Sequence, residues 1–547
     1  MIQKLINSKL LNDRPTESIT SAAFIIALAG IVSRLLGLVR DRILAFQFGA
    51  GDTLDVYYAA FRIPDLIYNL LIVGALGAAF IPVFTGLLTK KREEEAWQMA
   101  ATVLNLSVLI LSCLSVVLAV FAPSIMRLIT PGFSPEKINS VVMFTRIMFL
   151  SPLLLGVSGI FGGILVSFKK FLLYSMAPIF YNVGIIIGAM VLARFMGPAG
   201  LAWGVVLGAF MHMLIQYPSV RSSGFRFLPT LFRGFSNGEV REVLSLMIPR
   251  TLAVAITQVN LTVITIFAST LSSGSLSVFN FANNIQSAPL GLFGISFAIA
   301  VFPTLSAYAS QNAKIDFVRV LSEAVRQILF FVIPISVVLI VLRAQIVRII
   351  LGSGKFDWED TILTLSTLGI LSVSLFAQSL IPLLARSFYA LHNTRTPFFI
   401  ALASEAVNIL LVIVLIDKYA VAGLAMAFST SSILNMLLLF FFLRREFDAF
   451  DEVRIITSTL KIIVASVLAG FAIQVSKNIV SQFFELDTFL NVFVQLVVSL
   501  GMGVAVFSVL SMLLEIEEFT KVRMAISKKL FGVKRPITED ASEVSGL

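Results

Sequence analysis

Histidine and cysteine are nearly absent from this 547-residue chain: two histidines, His212 and His392, and one cysteine, Cys113. That scarcity excludes a disulfide framework, a multi-cysteine metal site, and zinc or haem chemistry built on clustered histidines, so no metal ligands are assigned. Cys113 sits in the apolar run 108–120 and reads as a small buried apolar residue. Charge is scarce too, at 13% of residues, about half the share of a soluble domain. The phosphate-binding pattern G-x-x-x-x-G-K-[ST] is missing. No polar stretch exceeds about 35 residues, too few for a nucleotide-hydrolysing domain. Paired acids and Ser/His arrangements are also missing, so the chain is not expected to be an enzyme. The N-terminal segment shows no signal-peptide pattern, because 1–21 is polar and the apolar stretch after it soon carries Arg34 and Arg40.

What is present is apolar: 58% of the residues, with a mean hydropathy of +0.96. A soluble globule of this size leaves too much of its surface facing water to hide that inventory. At about 20 apolar residues per crossing, the chain could furnish roughly fifteen spans. The fold class is therefore an all-α polytopic membrane protein. Hydropathy windows place about 14 transmembrane helices near 20–46, 57–88, 96–122, 138–168, 172–195, 199–220, 240–271, 275–309, 316–345, 360–391, 397–416, 421–443, 457–476 and 487–514. Pro64, Pro82, Pro152, Pro178, Pro289, Pro303 and Pro382 predict kinks or breaks.

The net charge of +10 would point to nucleic acid in a soluble protein, but here it reports orientation, and no nucleic-acid partner is expected. About 25 basic residues sort to the side of the N-terminus, among them Lys90–Arg92, Lys169, Lys170, Arg221, Arg395, Arg444, Arg445 and the C-terminal lysines, against about eight on the other side. The bias places both termini in the cytoplasm of a multi-pass protein and requires an even number of spans. Residues 516–533 read as an amphipathic helix, with Phe519, Val522, Ile526 and Leu530 opposite the lysines. Such a helix lies on anionic membrane lipid or docks on a partner.

The two halves repeat weakly. Ala199-Gly200-Leu201-Ala202 recurs as Ala422-Gly423-Leu424-Ala425, Met213-Leu214 as Met436-Leu437, Phe80-Ile81-Pro82 as Val301-Phe302-Pro303, and Pro178 as Pro397. Each copy holds six spans, so both insert the same way round, as in transporters with parallel repeats. The expected organisation is an N-terminal segment 1–19, an N-lobe 20–223, a C-lobe 224–446, two further helices in 447–515, and an amphipathic tail 516–547.

An ionisable side chain at membrane depth costs several kcal/mol unless it meets water or a partner, so each is a functional candidate. Arg34, Arg40, Asp41 and Arg42 lie in the first span, Arg62 and Asp65 in the second, and Arg146, Arg250, Arg326, Arg386 and Glu405 in later ones. Guanidinium forks bind phosphate or pyrophosphate bidentately and stay charged, so Arg34, Arg40, Arg62, Arg250 and Arg386 predict an anion-binding cavity. Asp41 would orient an arginine, and Asn283, Asn284 and Gln286 offer polar contacts. Arg42, Arg146 and Arg326 read equally as snorkelling at helix ends. Glu405 with Asn408 fits either proton or Na⁺ coupling or an ion pair; no other cofactor is expected, and the membrane potential is an alternative driving force.

The motifs carry a resemblance. Ser33-Arg34-Leu35-Leu36-Gly37-Leu38-Val39-Arg40-Asp41 followed by Phe48-Gly49-Ala50-Gly51 resembles the opening of MurJ/MviN proteins of the MOP exporter superfamily. So do Phe61-Arg62-Ile63-Pro64, Pro131-Gly132-Phe133, Tyr181-Asn182, Pro249-Arg250, Pro289-Leu290-Gly291-Leu292-Phe293-Gly294, Gly354-Lys355-Phe356-Asp357, and Ala385–Ala390 ending in Thr394-Arg395-Thr396-Pro397. The resemblance implies a bacterial inner-membrane flippase. It would move lipid II, the undecaprenyl-pyrophosphate-linked peptidoglycan precursor, to the outer leaflet by alternating access, with a groove on spans 13 and 14 for the polyprenyl tail and cell-wall synthesis enzymes as partners. Arg34, Arg40 and Asp41 match the family's functional positions. Tyr68-Asn69, Val73 and Asn284 depart from it where cations or an acid are usual, which leaves the head group open. A flippase for another lipid-linked oligosaccharide, a multidrug exporter of the same superfamily and a non-transporting cell-wall scaffold are the alternatives.

Overall fold

The structure, a computed structural model, describes residues 19–70, 72, 77–225, 258–447 and 450–531. Among them no strand occurs. The first half runs α1 (Ile19–Phe48), α2 (Asp52–Tyr68), α3 (Gly77–Thr89), α4 (Glu93–Ile129), α5 (Pro135–Met148), α6 (Leu150–Ser167), α7 (Phe171–Ile187) and α8 (Ala199–Ser222). The second continues with α9 (Gln258–Ala268), α10 (Ser275–Pro289), α11 (Ser296–Ser310), α12 (Lys314–Val341), α13 (Arg343–Ile350), α14 (Trp358–Val373), α15 (Leu375–Ala390) and α16 (Arg395–Arg444). α17 (Glu452–Phe483), α18 (Phe489–Leu513) and α19 (Glu517–Phe531) close the chain. Nine spans among the described residues are long and apolar enough to cross a membrane, and α14 with α15, bent by 46°, makes a tenth if taken as one. Most of the expected span 240–271, with Arg250, lies outside the described residues, as does Val73.

The breaks have chemical causes. Pro289 ends α10, and the chain passes through a wider π-helical turn, Leu290–Ile295, before α11. Pro152 follows the break between α5 and α6 by two residues, whereas Pro64, Pro82, Pro178, Pro303 and Pro382 lie within α2, α3, α7, α11 and α15. α16 turns back on itself at Ala420, whose φ of 47° is the left-handed region that L-residues avoid. Gly423 makes that reversal fit, since a Cβ there would stand 2.6 Å from the Leu415 carbonyl oxygen. The reversal falls between the expected spans 397–416 and 421–443.

The chain divides into two units, neither a single run of sequence. The first comprises residues 1–288, 346–371 and 398–435. Its N-terminal part packs Phe80, Phe84, Ile164 and Leu173 into one core, with Trp97 stacked on Phe168. Lipid tails are as apolar as leucine, so helices in a bilayer associate through close backbone approach. α7 and α8 show this: Gly200, Gly204 and Gly208 on α8 face Gly184, Gly188 and Ala193, and a Cβ on Gly188 would lie 2.3 Å from the Gly204 Cα.

The second unit, residues 289–345, 372–397 and 436–547, centres on Phe330, Ile462, Ala465 and Ile516. Here two expectations change, for Arg326 and Cys113. Of the expected apolar face of α19, Phe519 and Val522 pack on this cluster, while the side chains of Ile526 and Leu530 lie outside the described residues. Arg326 does not snorkel: it is 3% exposed and pairs with Glu517 at 3.0 Å and with buried Glu518. A buried guanidinium is held only where carboxylates meet it, and α19 brings two. In the first unit, Cys113 is exposed on α4, because apolar surface turned to lipid needs no burial in protein.

Substituting Gly204 with leucine should separate α7 from α8 and cost at least about 3 kcal/mol, since backbone atoms block the added side chain. Detergent thermal melts should show a lower midpoint or no folded protein; an unchanged midpoint would contradict the packing.

Candidate functional site

Two opposite charges of α1, on consecutive residues, neutralise each other. Arg40 donates from Nε (3.0 Å) and Nη2 (2.8 Å) to one carboxylate oxygen of its neighbour Asp41. Its third arm, Nη1, reaches Asn182 Oδ1 on α7 at 3.1 Å. Gly37, one turn earlier, leaves room for that amide: a Cβ there would only touch Asn182 Oδ1 at 4.0 Å. The other carboxylate oxygen of Asp41 accepts from Asn284 Nδ2 on α10 at 3.0 Å. A buried carboxylate is thus shared by a cation and an amide, and the group carries no net charge.

Arg34 and Arg62 are held differently. Arg34 Nη1 donates to the Ala288 and Ser287 carbonyls at 2.6 and 3.4 Å, where α10 passes into the π-helical turn and the backbone pairing widens. Arg62 donates from Nε to Thr265 Oγ1 (2.7 Å) and from Nη2 to Asn280 Oδ1 (2.9 Å). Both arginines are hydrogen-bonded to neutral acceptors, and Asp65 lies near enough to offset part of the Arg62 charge. Buried Tyr58 lies near enough to feel both Arg40 and Arg62.

One face of α10 therefore joins three of the expected cations through Asn280, Asn284 and its terminal carbonyls. Gln286 is buried on the same helix and Asn283 half-buried. Asn284 explains its own departure from the usual arginine: it satisfies Asp41 without adding charge. Tyr68 lines a separate cavity of about 210 Å³ with Asp65, Tyr181 and His212. Arg386, in the second unit, is half-buried near Tyr389. Glu405, buried on α16, accepts from Asn260 Nδ2 on α9 at 2.5 Å and from Asn408 Nδ2 at 3.2 Å. The oxygens of both amides are buried without a hydrogen-bond partner. Arg42, not a snorkelling residue, donates to the Ile349 carbonyl.

Sequence reasoning missed a second cluster, at the end of the first unit opposite the N-terminal end of α1. Asp55, 2% exposed, accepts from Gly274 N (2.8 Å), Ser277 N (3.0 Å), Ser277 Oγ (2.7 Å) and Lys137 Nζ (3.1 Å). The two amides belong to the start of α10, where the helix dipole favours an anion. Lys137 also meets Asp52 at 2.6 Å, and Asp360 accepts from Ala50 N at 2.9 Å. Gly274 (φ 90°) has no alternative here, because a Cβ would fall 2.0 Å from the Ala50 carbonyl oxygen. These contacts tie the connections after α1 and α4 to those after α9 and α13, joining the two sequence halves within one unit. The spacing Asp52-x-x-Asp55 just before an apolar segment was the available signal.

Asp55→Asn should weaken this seam by about 3 kcal/mol, leaving Lys137 without its buried partner. In a Cys113→Ser background, Ala50→Cys should then label faster with a membrane-impermeant maleimide. Hydrogen bonds from Lys137 and Ser273 hold the Asp52 carboxyl below its ordinary value. That contribution is complete at neutral pH and fades as pH falls through the lowered value. Labelling indifferent to Asp55→Asn would contradict the seam.

The family model described as lipid II flippase MurJ matches residues 44–523. A MurJ homologue of Buchnera aphidicola (subsp. Acyrthosiphon pisum) is 30% identical over 418 residues, 76% of this chain and 81% of that protein. Among solved structures, a lipid II flippase MurJ in an inward closed conformation superposes with a TM-score of 0.73 at 26% identity, covering 89% of this chain and 99% of that one. An inward-facing multidrug resistance MATE transporter of the MOP superfamily shares the fold at a TM-score of 0.66 and 15% identity, covering 76% and 94%.

Proposed function

This chain belongs to the lipid II flippase MurJ family, and from that premise we propose that it carries lipid II from the cytoplasmic to the outer leaflet of a bacterial inner membrane. The supporting observation is the cation group around α10: Arg34 and Arg62 held by neutral oxygens, with Arg40 neutralised by Asp41. The task is transport, not bond making. A pyrophosphate head entering beside α1 exchanges with the carbonyls on Arg34 and with the hydroxyl and amide on Arg62. The exchange replaces neutral acceptors with phosphate oxygens, and the stronger charge-assisted bonds offset the water that the head gives up. Guanidinium forks then hold the two phosphates.

Both termini lie in the cytoplasm in this reading, in line with the basic bias of the loops. The Asp55 seam then closes the outer end, and it must part before the head group leaves. An inside-negative potential favours outward movement of the anionic lipid by about 2.3 kcal/mol per charge per 100 mV. Glu405, with the unpartnered amide oxygens of Asn260 and Asn408, supplies an oxygen-rich place for Na⁺ or a proton to couple as well.

Arg40→Ala leaves Asp41 buried and without its cation, and should abolish complementation in cells depleted of their own lipid II flippase while the protein still reaches the membrane. Normal growth at matched protein level would overturn the assignment of this site.

A further inference from the structure

On an exposed face of the first unit, two arginines flank a pocket of about 360 Å³ between α4 and α5. Pro123 in α4 has no N–H, so the carbonyl four residues earlier, at Ala119, loses its helical partner. Arg146 of α5 replaces it, donating from Nε to the Ala119 oxygen at 3.0 Å. One edge of the guanidinium is thereby fixed, and the terminal nitrogens remain for another acceptor. Arg127, one turn beyond Pro123, lines the same pocket, as does Asn139. No acidic residue lines it, and neighbouring Lys137 is already bonded to Asp52 and Asp55. Two cations and an amide donor without a counter-charge call for an anion.

The surroundings narrow the class of anion. Ile138 and Met143 line the pocket, and the adjoining surface of α4 is strongly apolar: Val120 is 65% exposed, Phe121 57% and Leu128 75%. A free ion gains nothing from such walls, whereas an amphiphile meets charge with its head and apolar surface with its chains. Arg127 lies in the last turn of α4, at the same end of the unit as the Asp55 seam. We propose that Arg127 and Arg146 bind the phosphate of an anionic phospholipid, in the leaflet at that end of the protein, through a site built by Pro123.

The proposal does not depend on the flippase reading, because its readout is lipid retention. The full-length protein is purified and delipidated, then titrated with phosphatidylglycerol, phosphatidylcholine or inorganic phosphate, and bound lipid is counted by native mass spectrometry. One phosphatidylglycerol should be retained in preference to phosphatidylcholine, and Arg127→Gln should weaken that preference about fivefold, the usual contribution of one basic residue near a membrane surface. Arg146→Gln alone also strips Ala119 of its donor, so it is paired with Pro123→Ala, which restores the helical N–H. This double variant should fold as well as the parent and still lose the preference. A head-group preference unchanged in Arg127→Gln and in the double variant would overturn the proposal. Displacement of the phospholipid by millimolar inorganic phosphate would overturn its assignment to a lipid.

Discussion

The adjacency of Arg40 and Asp41 is the constraint from which the rest of the site follows. A charge at the centre of a membrane costs roughly 2.5–3.5 kcal/mol even on permissive scales. Two opposite charges on consecutive residues project to different sides of a helix, so they meet only because the arginine curls back to one carboxylate oxygen. The second oxygen then needs a donor, and Asn284 provides it; the third arm of the guanidinium needs an acceptor, and Asn182 provides it. One ion pair on α1 thereby fixes the positions of α7 and α10. α10 in turn presents the carbonyls and Asn280 that hold Arg34 and Arg62.

The same requirement recurs wherever the backbone is broken or a charge is enclosed. The orphan amides at the start of α10 meet Asp55, the orphan carbonyl created by Pro123 meets Arg146, and the carbonyls at the end of α10 meet Arg34. In the second unit, Arg326 is matched by Glu517 and Glu518, which docks α19.

Much of the helical architecture was legible because the bilayer imposes a strict length and polarity on each segment; Pro289 marks a change of helix, whereas five other prolines lie within helices and Ala420 carried no signal. The direction in which an apolar face points was not legible. Hydropathy treats lipid and protein alike, so Cys113 read as buried, and the face of α19 fitted lipid and a docking partner equally. At the site, Arg34, Arg40, Asp41, Arg62 and Asn284 stood out as polar groups in apolar runs, and the structure brings them to one helix. Their partners Asn182 and Thr265 lie 142 and 203 residues from the arginines they bind, and no local pattern reports such pairings. Arg386 drew attention by the same rule but sits in the other unit.

Movement of lipid II across the membrane by this chain is read in cells where it is the only flippase present. Lipid II in the outer leaflet is measured by an impermeant probe, with the Arg40→Ala protein at equal abundance as comparison. Outer-leaflet lipid II should stand at the level of normal cells with the unaltered chain, and should be lost, with accumulation of total lipid II, with Arg40→Ala. Equal outer-leaflet lipid II in both strains, or none in either, would contradict it.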